Sequence, residues 1–376
     1  MKDVFREILR AKAKGERAAL STIINSKGSL PMSPRSKMLV LQDGTIIGTV
    51  GGGCMEADVW AEAKEVMKQD ISKVSRFILT EKHAGESGLN CGGTVDFFTE
   101  PIVPGRMDEV FEEIVRLRDE NQSVALATII SDTAYDLVKE HSKMLIRKDG
   151  STVGTLGGGR IEEEVRVEAQ KILGQDILKI MNFTLTEEEA KKLRATPGTV
   201  LRVFIESLLA QPVLYLFGGG HVSLEIAKVA KIAGFKLIVI EDRPMFGNKE
   251  RFPEADEIII DDFTTVAKKL TPEFNESSYL VAVTRGHQHD EKIIEQVVWS
   301  QAKYIGMIGS KRKIKLMWDK LQGKGIPKEL LDRVHAPIGL DIGADNPGEI
   351  AVSIVAQLIQ VRRGGTHHLR TVEESK

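Results

Sequence analysis

Apolar positions along the chain change period several times, and each change marks a new element. Val4, Phe5, Ile8 and Leu9 recur at spacings of three and four, which predicts an amphipathic helix. Residues 18–24 read as a strand, and residues 37–42 and 45–50 flank Asp43-Gly44 as a hairpin. The run Gly51-Gly52-Gly53 then opens a second helix with Met55, Val59, Ala63 and Val66 on one face, and two more strands follow. The same series restarts with Val110, Phe111, Ile114 and Val115, a strand at 123–130, and a hairpin at 143–147 and 152–156.

The restart is a repeat in sequence as well as in pattern. Ser36-Lys37-Met38-Leu39 returns as Ser142-Lys143-Met144-Leu145, and Gly48-Thr49-Val50-Gly51 as Gly154-Thr155-Leu156-Gly157, both displaced by 106 (36 to 142, 48 to 154). A constant displacement over many positions marks a tandem duplication of an α+β unit. The copies differ where chemistry is expected. Cys54 of the first copy becomes Arg160, and Asn90-Cys91-Gly92-Gly93 becomes Ala195-Thr196-Pro197-Gly198. Glu56 keeps a twin in Glu162.

After Pro212 the pattern changes to apolar runs of strand length separated by helices, the habit of a parallel sheet covered on both faces. Val213 to Phe217, Lys236 to Ile240, Glu257 to Ile260, Tyr279 to Val283 and Tyr304 to Ile308 are its expected strands. Gly218-Gly219-Gly220-His221 between the first strand and a helix, with Glu241 and Arg243 past the second strand, fits a dinucleotide fingerprint in its proper setting. Ser223 stands where the third glycine belongs, so the motif speaks more for the fold than for NAD(P). Glu241 is placed to accept from a ribose hydroxyl. Three polar loops follow later strands or helices: one with Arg285, His287, His289 and Asp290, one with Gly309, Ser310, Lys311, Arg312 and Lys313, and one opening at His335. The fold class is therefore α/β and α+β: 1–105 as the first unit, 106–210 as its degenerate copy, 211–363 as a Rossmann-like doubly wound domain, and 364–376 as a flexible tail.

Composition narrows the chemistry. The 376 residues carry 52 Lys plus Arg against 54 Asp plus Glu, a formal net charge of −2, which argues against a dedicated nucleic-acid binder. The 2 cysteines cannot make a disulfide framework, and no apolar run approaches membrane-span length, so a cytoplasmic protein without membrane partners is expected. Cys54 after a glycine run at a helix start is placed for a lowered thiol pKa, and a thiolate there suits a soft metal or a carried sulfur. Cys91, flanked by Gly92 and Gly93, could join it. The plainer reading is two buried inert thiols. Glu56 is either an acid–base group or a complement to the helix dipole, and Arg160 either binds an anion or is simply solvated. His287, His289 and Asp290 have metal-ligand residue types at a spacing that is weak support for a metal site. Lys311, Arg312 and Lys313 could clamp phosphate, or simply form a solvated first helix turn, although cations are disfavoured at that end.

Taken together, Gly51-Gly52-Gly53-Cys54-Met55-Glu56, Asn90-Cys91-Gly92-Gly93 and the downstream loops resemble the XdhC/CoxI family, accessory factors for molybdenum hydroxylases such as xanthine dehydrogenase of purine catabolism. That resemblance covers nearly the whole chain. It implies a factor that binds molybdenum cofactor (molybdopterin), supports its sulfuration by a cysteine desulfurase, and delivers it to an apo-hydroxylase. Such a protein is a binding and delivery factor more than a catalyst, and a homo-oligomer is expected. Cys54 and Cys91 would handle the metal or its sulfur, with Glu56 as the candidate acid–base group near them. The glycine loops, His221, Arg243, Arg285, His287 and His335 would hold pterin, phosphate or nucleotide. The competing class is an NAD(P)-dependent oxidoreductase acting through the Rossmann-like domain.

Overall fold

The computed structural model describes residues 3–28, 33–51, 53–78, 93–130, 142–193 and 195–365. The chain divides into two compact units, with the boundary between Leu209 and Ala210. In the first unit, copy one makes α1 (Val4–Ala13), β1 (Ala18–Lys27), β2 (Lys37–Leu41), β3 (Ile46–Gly48), α2 (Cys54–Gln69), β4 (Lys73–Ile78) and β5 (Thr94–Ile102). Copy two makes α3 (Asp108–Asp119), β6 (Val124–Ile129), β7 (Lys143–Ile146), β8 (Thr152–Thr155), α4 (Gly159–Ile172), β9 (Leu178–Thr184), α5 (Glu187–Lys192) and β10 (Val200–Leu208). Each copy folds into its own five-stranded antiparallel sheet, ordered β3-β2-β1-β5-β4 and β8-β7-β6-β10-β9. The hairpin turns close as their Asp-Gly pairs dictate: Asp43 accepts from the Thr45 amide at 2.8 Å and Asp149 from the Ser151 amide at 2.9 Å.

The periodicity of the two long helices is spent on these sheets. Met55, Val59, Ala63 and Val66 of α2 pack on Ile23, Val40 and Phe97. Ile161, Val165, Ala169 and Ile172 of α4 pack on Ala127, Met144 and Ile205. Full burial of each larger side chain contributes about 1.5–3 kcal/mol. The opposite faces of the two sheets meet one another, Leu20 and Leu39 clustering with Leu126 and Leu145, and Phe98 with Phe204. Phe5 of α1 and Phe111 of α3, themselves repeat partners, face each other at 6.5 Å.

Two lysines lie in that interface. Lys143 of copy two reaches Glu100 of copy one at 2.8 Å, with side chains only 3% and 8% exposed. Its repeat partner Lys37 reaches Glu206 at 2.8 Å. Each ammonium also donates to a threonine of its own copy, Lys143 to Thr128 at 3.1 Å and Lys37 to Thr22 at 3.4 Å. The crossed pairs relate the copies as a two-fold axis relates the two halves of a dimer.

The second unit contains β11 (Val213–Phe217), α6 (His221–Ile232), β12 (Lys236–Glu241), β13 (Glu257–Ile260), α7 (Phe263–Leu270), β14 (Ser278–Ala282), α8 (His287–Val297), β15 (Tyr304–Met307), α9 (Lys311–Gly323), α10 (Lys328–Leu331), β16 (Val334–His335) and α11 (Pro347–Arg363). The sheet is parallel throughout, in the order β13-β12-β11-β14-β15-β16. Helices α6 and α11 cover one face through Ile226, Ala230, Ile354 and Leu358, and α7, α8 and α9 cover the other through Phe263, Ile294 and Ile314. This is the expected doubly wound Rossmann-like fold. Two local features differ from expectation. His287, His289 and Asp290 open α8 instead of lying in a loop, and the stretch after α10 carries a two-residue strand, too short to show a period. The expected tail from residue 366 onward lies outside the described residues.

Breaking one crossed pair should leave a buried charge with no counter-ion. We expect Lys143→Met to lower unfolding free energy by about 3–5 kcal/mol, and the double variant Lys143→Met with Glu100→Leu to regain most of it. Urea denaturation of the single and double variants measures this. A double variant no more stable than Lys143→Met would show that the pair does not couple the copies.

Candidate functional site

In the first unit the glycine loops precede the long helices. Gly51 and Gly53 flank α2's start with positive φ of 119° and 69°. Gly52, the Cys54 side chain, Cys91 and Gly92 lie outside the described residues, so the juxtaposition of the thiols does too. Gly93 is buried just ahead of β5. Glu56 is a loop fastener: its carboxylate accepts from the Thr49 hydroxyl and from the Val50 amide at 3.2 Å. Glu162 does the same in copy two, accepting from Thr155 and from the Leu156 and Gly158 amides at 2.8 and 2.9 Å. Those donors hold its pKa below the ordinary carboxylate range, against a burial effect that alone would raise it.

Arg160, the residue standing for Cys54, is neither free nor bare. It grips Glu189 with two nitrogens at 3.1 and 3.2 Å and Glu164 at 3.0 Å. Glu189 belongs to α5 and closes a capping box with Thr186, a Thr-x-x-Glu signal that the sequence reading did not use. The Leu193 side chain just past α5 lies where a Cβ on Gly157 would clash, at 2.8 Å. Copy two's turn is thus covered by its own chain at Gly157, while Gly159 and Arg160 stay exposed.

In the second unit Gly218 and Gly219 are required, but by protein. Gly218 has φ +112°, and a Cβ there would stand 2.6 Å from the Val283 carbonyl oxygen. At Gly219 a Cβ would stand 2.5 Å from the Phe246 carbonyl oxygen. Arg251 donates to the Gly219 carbonyl at 3.1 Å and lies over Phe246 beside Arg243. Glu241, read as a ribose acceptor, is 1% exposed and turned beneath the loop. It accepts from the Gly219 amide at 2.6 Å and from Arg243 at 2.8 Å. Nothing among the described residues crowds Gly220, and His221 is exposed at the start of α6.

Next to the loop, Asp242 pairs with Arg285 through two contacts of 2.5 and 2.8 Å, and this guanidinium holds the Asp242 carboxyl down to about 2. Arg285 begins the rim of a cleft of about 230 Å³ at the carboxyl ends of β14 and β15. His287 and Asp290 at the start of α8 line one side, and Ser310 and Lys313 at the start of α9 line the other. Met307, Ile308 and Ile314 supply an apolar wall. Ser310 caps α9 by accepting from the Lys313 amide at 3.4 Å. Lys311, Arg312 and Lys313 are all exposed in this first turn. Gly309 leads into it and also lines the cleft.

Asp290 is buried, and its Oδ1 accepts from the Thr284 amide at 3.1 Å and hydroxyl at 2.8 Å. Burial pushes its pKa up to about 6. The histidines do not gather round it as ligands. On a helix, positions i and i+2 point apart; His289 lies edge-on to Phe263 at 5.5 Å, and His335 stacks on Tyr304 at 4.5 Å and 11°. Among the described residues no group of three His, Cys, Asp or Glu is arranged to hold a metal. Phe246 and Arg251, structural partners of the glycine loop, carry no motif in the sequence, whereas Thr284 opens the polar loop that the sequence marks through Asp290.

The fold and loops define a protein with a duplicated glycine-loop module joined to a Rossmann domain. Residues 11–77 and 117–183 each match the XdhC and CoxI family, and residues 214–358 match the XdhC Rossmann domain. The chain belongs to the XdhC and CoxI family. It is 28% identical over 352 residues to a protein of Bacillus subtilis strain 168 named as a probable xanthine dehydrogenase subunit, covering 93% of this chain and 94% of that protein. It is 30% identical over 256 residues to YqeB of Escherichia coli strain K12, covering 67% of this chain but only 46% of YqeB. A crystal structure described as that of a xanthine dehydrogenase, from Bacillus halodurans, shares the fold, with a TM-score of 0.71 at 24% identity over 99% of both chains.

The buried Asp290 makes a stability prediction. Its raised pKa means that stability from this site is fully present below about pH 4, is lost between about pH 4 and 6, and stays lost above. Asp290→Asn should therefore stabilise the protein at pH 8 by about 1–3 kcal/mol and change it little at pH 4. Urea melts at the two pH values test this. An equal effect at both would show that ionisation of Asp290 is not what is being relieved.

Proposed function

We propose that this protein is a maturation factor for a molybdenum hydroxylase of the xanthine dehydrogenase type, binding molybdenum cofactor and handing it to the apo-enzyme. The observation that carries this reading is the pairing of both family domains on one chain, together with 28% identity along 94% of a protein named for xanthine dehydrogenase. The donor chemistry fits. Cys54 is the first residue of α2 and follows a glycine turn, where the helix dipole favours a thiolate. A thiolate is a soft donor of the kind molybdenum or a transferred sulfur accepts. Cys54 and Cys91 would be the residues that meet the metal or its sulfur, supplied in turn by a cysteine desulfurase. The cofactor supplies the hydroxylase's redox chemistry once delivered, and this chain's part is to hold and release it. Copy two, with Arg160 locked to Glu189, would serve as scaffold. A second copy of the chain is the expected assembly partner. No helix among the described residues is long and apolar enough to cross a membrane.

The oxidoreductase reading takes second place because Glu241 and the Gly219 amide, the groups a bound dinucleotide would use, are bonded to each other.

Protein purified without oxygen from cells that make molybdenum cofactor should carry molybdenum and pterin in step. Changing Cys54→Ser and Cys91→Ser together should cut both by roughly tenfold or more while leaving the thermal melt unchanged. Metal analysis and pterin fluorescence read this out. Cofactor-free wild-type protein that also fails to take up added cofactor would overturn the reading.

A further inference from the structure

The anion-binding capacity of the Rossmann unit lies one crevice away from its glycine loop. The amide of Gly219, which such a loop would offer to a pyrophosphate, is already taken by Glu241 at 2.6 Å. The space above Gly219 is filled by the Phe246 carbonyl, and the Gly219 carbonyl is held by Arg251. The Gly219 amide and carbonyl are therefore both satisfied without a ligand.

The cleft at the ends of β14 and β15 presents the opposite situation. Its rim carries Lys313 beside Lys311 and Arg312, three cations in the first turn of a helix, where the dipole disfavours positive charge. Among the described residues none of the three has a carboxylate within ion-pair distance. Further along, Lys320 of the same helix and Lys324 just past it are matched to Glu291 at 2.8 and 3.3 Å. Across the cleft His287 is exposed at the start of α8. Asp290, the carboxylate on the lining, has its Oδ1 committed to Thr284, and Arg285 is committed to Asp242. Apart from the second oxygen of Asp290, the groups left to meet a ligand are cationic or hydrogen-bond donors on two sides and apolar on the third, where Met307, Ile308 and Ile314 lie. At about 230 Å³ the cleft is smaller than the sites that enclose a whole drug-sized ligand.

We propose that this cleft is a phosphate subsite, in which Lys313 and His287 grip the phosphate of a phosphomonoester whose apolar or planar remainder lies against Met307, Ile308 and Ile314, while the glycine loop is a structural turn. The assignment goes beyond the delivery reading and does not depend on it, since its test uses no molybdenum cofactor and no hydroxylase.

The test is calorimetric titration of the full chain with phenyl phosphate and with inorganic phosphate. Phenyl phosphate should bind saturably and more tightly than inorganic phosphate. Lys313→Gln, an exposed change that should leave the thermal melt intact, should weaken it by roughly tenfold or more, the scale of a hydrogen bond to a charged group. His287→Gln should weaken it in the same sense. His221→Ala at the glycine loop should leave it unaltered. Loss of binding in His221→Ala with retention in Lys313→Gln would overturn the proposal by placing phosphate on the loop. No saturable binding of either probe would overturn it outright, and equal affinity for the two would overturn the apolar half.

Discussion

A glutamate carboxylate holding amides of a glycine turn is the contact on which the turns ahead of α2, α4 and α6 depend. Glu56 takes the Val50 amide, Glu162 those of Leu156 and Gly158, and Glu241 that of Gly219. A glycine turn ahead of a helix concentrates amide dipoles, and such a turn attracts whatever anion is nearest. Here the nearest anion is covalently part of the chain. That fixes the turns without a ligand and orients the helices α2, α4 and α6 that follow. It also changes what the turns can do: an incoming phosphate at Gly219 would have to displace an internal carboxylate already 1% exposed.

The first unit solves a different problem by symmetry. A five-stranded sheet with one helix layer still has an apolar face to cover, and the duplicated copy supplies a matching one. The crossed pairs Lys143 with Glu100 and Lys37 with Glu206 set the register of that contact, because a slipped register would leave four buried charges without partners. Two fused copies obtain what a homodimer obtains from its two-fold axis, with the advantage that each half is free to diverge.

Much of this was legible in the chain. The 106-residue displacement (36 to 142) gave the two copies, and their periods gave the helix faces that bury Val59 and Val165. The strands of the parallel sheet fell within a residue or so of their apolar runs because strands buried on both faces have little else to be. What stayed hidden depended on tertiary approach. Lys37 and Glu206 stand 169 positions apart, and no local pattern joins them. Glu241 looked like a ribose acceptor because sequence marks its place at a strand end but not the direction its carboxyl turns. His287-x-His289 has ligand composition at a spacing that supports a metal only weakly, and the helical backbone, which the sequence does not mark there, shows that the two point apart.

The divergence of the second copy follows the same electrostatic logic. Replacing a thiol by Arg160 puts a cation at a helix start, which is unfavourable there. The neighbourhood has answered with acid: Glu164 one turn on, and Glu189 presented by α5 through a capping box. These contacts lie at an exposed surface and are individually worth little, on the order of 0–1 kcal/mol each. Their geometry is nonetheless specific, since the two-nitrogen grip on Glu189 ties α5 across the glycine turn and brings Leu193 over Gly157. A cysteine restored at 160 would lack that tie, and the cover over the turn would lose its fastening. The arginine therefore fastens α5 against one end of the turn, at Gly157, and leaves Gly159 exposed at the other.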